Sequence, residues 1–119
     1  MNGIAAYKEH VVVTQAPGRV VVLLYEGAVK FLRQAIIELR NGNMVEKGRL
    51  INKAIEIIIE LSVSLDTDAG GEVAQNLRAL YAFMGEHLTR DNFQKDPEAI
   101  EEVISLLDEL NEGWKAIAG

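Results

Sequence analysis

Cysteine is absent from this 119-residue chain. That absence removes a thiol nucleophile, a disulfide framework and cysteine-ligated zinc from consideration. Histidine is nearly absent too. Tyr7 and Met84 stand three positions before His10 and His87, so the chain holds no Glu-x-x-His pair of the kind that seats two iron ions in a helical bundle. Basic residues form no stripe and the few aromatics do not interleave with them, which argues against a nucleic-acid partner. The longest apolar cluster is broken by Glu26, Lys30 and Arg33, so no segment is expected to insert into a bilayer. The first ten residues contain no apolar run typical of a signal peptide, and a cytoplasmic protein is expected. Ser62 and Ser64 have no histidine near them in sequence, there is no Gly-x-Ser-x-Gly, and Gly70-Gly71 reads as a turn, not a nucleotide fingerprint. No catalytic residue, cofactor site or metal site is expected, and the chain is not read as an enzyme.

What is present is apolar surface with a helical period. Hydrophobic residues make up 49% of the chain, enough for one domain with a real core. The net charge of −6 is concentrated at the end: residues 97–119 carry Glu98, Glu101, Glu102, Asp108, Glu109 and Glu112 against Lys115 alone. A solvated helix face accounts for that run.

Residues 19–39 carry the strongest pattern. Val21, Leu24, Ala28, Phe31, Leu32, Ala35 and Leu39 fall on one side at about 100° per residue. Arg19, Glu26, Lys30, Arg33 and Arg40 occupy the other, but Val22, Leu23 and Ile37 lie among them. Thr14 is the expected cap, with Pro17 in the first turn and Asn41-Gly42-Asn43 as the stop. A second helix is expected over 44–65, with Met44, Ile51, Ala54, Ile55, Ile58, Leu61 and Leu65 inward. Its wet face is Arg49, Asn52, Lys53, Glu56 and Glu60, flanked by Leu50, Ile57, Ile59 and Val63. Turn chemistry over 66–71 precedes a third helix, 72–88, with Val73, Leu77, Leu80, Tyr81, Met84 and Leu88 inward. Asp96 then caps a fourth helix with Pro97 at its first position and the stripe Ile100, Val103, Leu107, Leu110, Trp114 and Ile117. Short connections make consecutive helices antiparallel neighbours. The expected fold is therefore all-α: an up-down-up-down four-helix bundle over 17–119, preceded by an N-terminal arm, 1–16. Gly27 is expected to mark a close helix approach.

One core cannot bury every apolar position in this pattern. Val22, Leu23, Ile37, Leu50, Ile57, Ile59 and Val63 are left over, and Ile4, Tyr7 and Val11 of the arm are spaced to cover some of them. Surplus apolar surface beside a short arm points to helix-in-groove binding of a partner segment. Self-association, as a helical structural or adaptor protein using the same surface for a homodimer, is the alternative.

Specific residues also carry a family resemblance. Ala6-Tyr7, Val13-Thr-Gln-Ala-Pro17, Leu23-Leu-Tyr-Glu-Gly-Ala-Val-Lys-Phe-Leu-Arg-Gln-Ala35, Lys53-Ala-Ile-Glu-Ile-Ile58, Asn76-Leu-Arg-Ala-Leu-Tyr-Ala-Phe-Met84 and Trp114-Lys115 run in an order that resembles the flagellar secretion chaperones of the FliS family. Ala16 and Gly18 depart from the family's usual choices at the start of the first helix. The resemblance implies an antiparallel bundle that binds the disordered C-terminal segment of newly made flagellin in the bacterial cytoplasm. It further implies that the protein prevents premature polymerisation and delivers flagellin to the flagellar type III export apparatus, as a monomer or weak homodimer. It places Tyr7 in an N-terminal segment that covers part of the groove and moves when flagellin binds.

Overall fold

Wherever apolar residues recur at three- and four-residue steps the chain winds into helix. The structure, a computed structural model, describes residues 14–90 and 96–118. It contains α1 (Gly18–Arg40), α2 (Met44–Val63), α3 (Thr67–Arg90) and α4 (Glu98–Ala118). Among the described residues there is no strand, only an isolated antiparallel bridge between Thr14 and Leu65. The expected arm residues 1–13 lie outside the described residues.

α1 is the organising element, as its wide apolar arc requires: it packs most extensively on α2 and α4, and α3 closes the far side between them. The direction of each helix can be read from ion pairs. Arg33 meets Asp108 and Arg40 meets Glu101, so α4 descends as α1 rises. Both pairs are solvent-exposed and contribute between about zero and 1 kcal/mol each. The stability lies beneath them, in a core that includes Val21, Ala28 and Leu32 of α1, Ile51 and Ile58 of α2, Met84 and Leu88 of α3, and Val103 and Leu107 of α4. Burial of each large side chain of this kind favours folding by roughly 1.5–3 kcal/mol.

The ends of the helices follow from local chemistry, with three differences from expectation. α1 stops as expected: Gly42 takes φ 79°, which glycine adopts without penalty, and the Asn43 and Gly42 amides return to the Glu38 and Leu39 carbonyls. Thr14, however, does not cap α1. Its hydroxyl oxygen accepts from the Ala16 amide at 3.2 Å and donates to the Ser64 carbonyl at 3.2 Å, and Pro17 occupies the N-cap position with no side-chain cap. The Gln15 amide also donates to Ser64, so the entry to α1 is secured to the end of α2 in place of a cap. α2 ends at Val63, two residues early, because the Leu65 backbone is used in that same bridge.

The turn before α3 is itself helical. Asp66 Oδ1 accepts from the Ala69 amide at 2.9 Å, starting a short turn that breaks at Gly71, where φ 56° and ψ −132° are accessible to glycine and to almost nothing else. α4 begins as expected, with Asp96 Oδ1 accepting from the Glu98 amide at 2.9 Å. The acidic residues of α4 are all solvent-exposed, and Glu101, Glu102 and Asp108 are paired with Arg40, His87 and Arg33.

Polar groups sit inside the core as well. Lys47 is buried in the first turns of α2, and desolvation holds its ammonium pKa below the usual lysine value. The Tyr25 and Tyr81 hydroxyls share a 2.6 Å hydrogen bond across the bundle, with the rings edge to face. Burial raises the pKa of both phenols above the ordinary 10.0. A raised tyrosine pKa means that the folded state holds the proton more tightly than the unfolded chain does. Stability from this pair is therefore complete below pH 10 and lost as pH rises beyond it. Urea midpoints followed by circular dichroism should fall above pH 10, and more shallowly in a Tyr25→Phe, Tyr81→Phe double variant than in the parent.

Candidate partner-binding surface

Successive residues of a helix point 100° apart, so the apolar residues left over from the core do not share one face. Ile57 and Ile59, two positions apart, differ by about 200°. Ile57 lies toward α1: its Cδ1 is 3.4 Å from the point where a β-carbon on Gly27 would sit. Gly27 thus marks the α1–α2 approach, though with room for a methyl group at ordinary contact distance. Ile59 and Val63, four apart on the opposite side of α2, are exposed, Val63 at 73%. Glu56 and Glu60 are exposed on the same helix and run between the two sides.

Three apolar regions result. The first is the α1–α2 seam, where Leu23 stands 61% exposed with Val20 one turn before it, and half-buried Ile57 forms the α2 wall. The second is the outer face of α2, formed by Ile59 and Val63. The third is the α1–α4 seam. There Val22, half-buried, is followed along α1 by Glu26, Val29 and Arg33, and two adjoining hollows of about 490 Å³ and 360 Å³ flank the Arg33–Asp108 pair. Ile37, 55% exposed, borders both hollows and a smaller one of about 160 Å³ toward α2.

Leu50 requires a correction. It is only 3% exposed and belongs to the core, because α1 and α2 approach closely enough for the buried arc of α2 to extend round to it. It lines the floor of the 160 Å³ hollow and is not surplus surface. Ile57 is likewise partly committed, packed against the core while its outer side remains open. Ile4, Tyr7 and Val11 lie outside the described residues. Val73, expected inward, is exposed instead, and Ala74 beside it takes the buried position; exposed Val45 and Phe83 were missed because an exposed apolar residue beside a core position carries no periodic signal of its own. Phe83 stacks on His87 with centroids 5.1 Å apart, and His87 bonds Glu102 at 2.7 Å.

The arrangement offers apolar contact and little reactive chemistry. Among the described residues no group of three histidine, cysteine or acidic side chains is placed to hold a metal ion. No described helix is long and apolar enough to cross a membrane.

Comparison with known proteins agrees with the pattern in the sequence. A family model described as "Flagellar protein FliS" matches residues 1–119. The chain is 39% identical over 122 aligned positions to the flagellar secretion chaperone FliS of Salmonella typhimurium, covering 98% of this chain and 90% of that protein. It is 35% identical to the flagellar secretion chaperone FliS of Vibrio cholerae, covering 98% of this chain and 88% of that protein. Similarity extends to the flagellar secretion chaperone FliS of Bacillus subtilis, at 31% identity over 96% of this chain and 84% of that protein.

Proposed function

The chain belongs to the FliS family of flagellar secretion chaperones, and from that premise we propose that it binds the disordered C-terminal segment of flagellin as a helix on its exposed apolar faces. Binding in this way keeps flagellin from polymerising in the bacterial cytoplasm and hands it to the flagellar type III export apparatus. No bond is made or broken. The work is coupled folding and binding.

The observation that carries this reading is the exposure of Leu23 and Val63 on a bundle whose interior is already filled. Ordering a disordered segment costs about 2–5 kcal/mol. At roughly 25 cal/mol per Å² of apolar surface, offsetting 5 kcal/mol takes about 200 Å², and association itself requires more. The apolar positions are divided among three regions, which favours a guest that follows the bundle across more than one seam. Tyr7, with Ile4 and Val11, is assigned to a segment that occupies part of this surface before flagellin arrives.

Titration calorimetry with a synthetic flagellin C-terminal peptide tests the proposal. A one-to-one complex with a negative heat-capacity change is expected, since apolar burial produces that sign. Absence of binding, together with a dimer in light scattering that leaves Leu23 and Val63 covered, would instead identify the surface as a self-association face.

A further inference from the structure

Asn111 occupies a place in α4 where the pattern calls for an apolar side chain. It follows Leu107 by four and precedes Trp114 by three, both of them buried core residues, and it is itself only 4% exposed. Its Oδ1 has no hydrogen-bond partner among the described residues. A carboxamide oxygen is an acceptor, and burying it unmet is unfavourable to the free bundle. The side chain is not sealed deep inside, however. It lines the 360 Å³ hollow of the α1–α4 seam, whose lining also includes the aliphatic side chains of Val29 and Ile37. A half-turn about Cβ–Cγ exchanges oxygen and nitrogen, so either end of the amide can be presented to that hollow.

The rim adds a charge preference. Arg33 and Asp108 satisfy one another at 3.2 Å, while Lys30 and Lys115 line the same hollow with Glu26 as the remaining carboxylate. The opening is therefore cationic by one charge, and an acidic residue on an incoming chain is favoured there.

We propose that Asn111 is a specificity determinant for the guest: the hollow between α1 and α4 receives one turn of the guest helix, whose central amide or hydroxyl side chain hydrogen-bonds the Asn111 carboxamide between aliphatic neighbours. This inference rests on the guest-binding reading above and adds to it the place and chemistry of one anchor. Apolar faces alone accept helices in many registers, since one leucine substitutes for another. A directional bond at a fixed point admits one register and rejects a guest that brings a methyl group to the same place.

The test uses the full chain, the flagellin C-terminal peptide and an Asn111→Leu variant. Leucine fills the site without the polar cost, so thermal stability should stay level or rise while affinity for the peptide falls about tenfold, equivalent to about 1.4 kcal/mol. Unchanged affinity in a folded Asn111→Leu variant overturns the proposal and reduces Asn111 to an internal register marker. The unmodified protein supplies an arm that does not depend on the variant folding. The Asn111 side-chain NH₂ resonances should shift and gain protection from exchange when peptide is added. Resonances that do not move during saturating binding overturn the proposal while leaving the chaperone reading intact. An unmodified chain that binds no peptide removes the chaperone reading and this one together.

Discussion

Leu23→Asp is expected to weaken binding of the flagellin C-terminal peptide about thirtyfold, roughly 2 kcal/mol, while moving the melting temperature by no more than a few degrees. The asymmetry follows from where the side chain stands. Leu23 is 61% exposed in the free bundle, so a carboxylate there remains hydrated and little packing is lost. Under a guest helix the same carboxylate loses its water and gains no partner, which is the costliest outcome for a charge. Calorimetry and a thermal melt on the same preparation read the two effects separately. A variant that binds as tightly as the parent removes the α1–α2 seam from the interface. Ile57→Asp does not give so clean an answer, because Ile57 packs against the core and an aspartate there disturbs folding as well as binding.

Leu32→Ala is expected to do the reverse. Leu32 is fully buried on the inner face of α1. Truncation removes its transfer free energy and leaves a cavity, a loss of about 2–5 kcal/mol. Against a total stability of about 5–15 kcal/mol for a domain of this kind, that is a large share. The urea midpoint should fall with the slope unchanged, and the melting temperature should drop by roughly 10 °C or more. The protein that remains folded should bind the peptide with near-parental affinity, because residue 32 faces away from every exposed apolar region. A midpoint within experimental error of the parent means that the interior is looser than this packing implies.

The bundle itself could be read from the sequence because helix period, stop signals and short connections all agree. Asn41-Gly42-Asn43 and Asp96-Pro97 lie where their chemistry requires, and both act as expected. The rotation of α1 could not be read as well. The period gave Leu24 and Phe31 as inward, yet Tyr25, Val29 and Ile36 are the more deeply buried, with Leu24 and Phe31 half-covered. A helix with an apolar arc this wide has no unique centre until α2 and α4 are in place on either side. The Tyr25–Tyr81 bond joins residues 56 apart in sequence and leaves no local signal.

The binding surface was legible residue by residue but not as a shape. Leu23, Ile59 and Val63 are exposed as expected of surplus positions, Leu50 is not, and only the assembled bundle shows that they belong to separate seams. Asn111 was within reach, because Leu107 and Trp114 bracket it at core spacing. A polar residue in an apolar stripe is easily passed over when the neighbouring Leu110 appears to continue the stripe.

The indole of Trp114, the sole tryptophan of the chain, is enclosed at the heart of the bundle beside the Tyr25 phenol. Intrinsic fluorescence excited at the indole band therefore comes from one enclosed emitter. Its emission maximum tracks whether the interior is intact, so the packing of the bundle acquires an optical readout without any added dye.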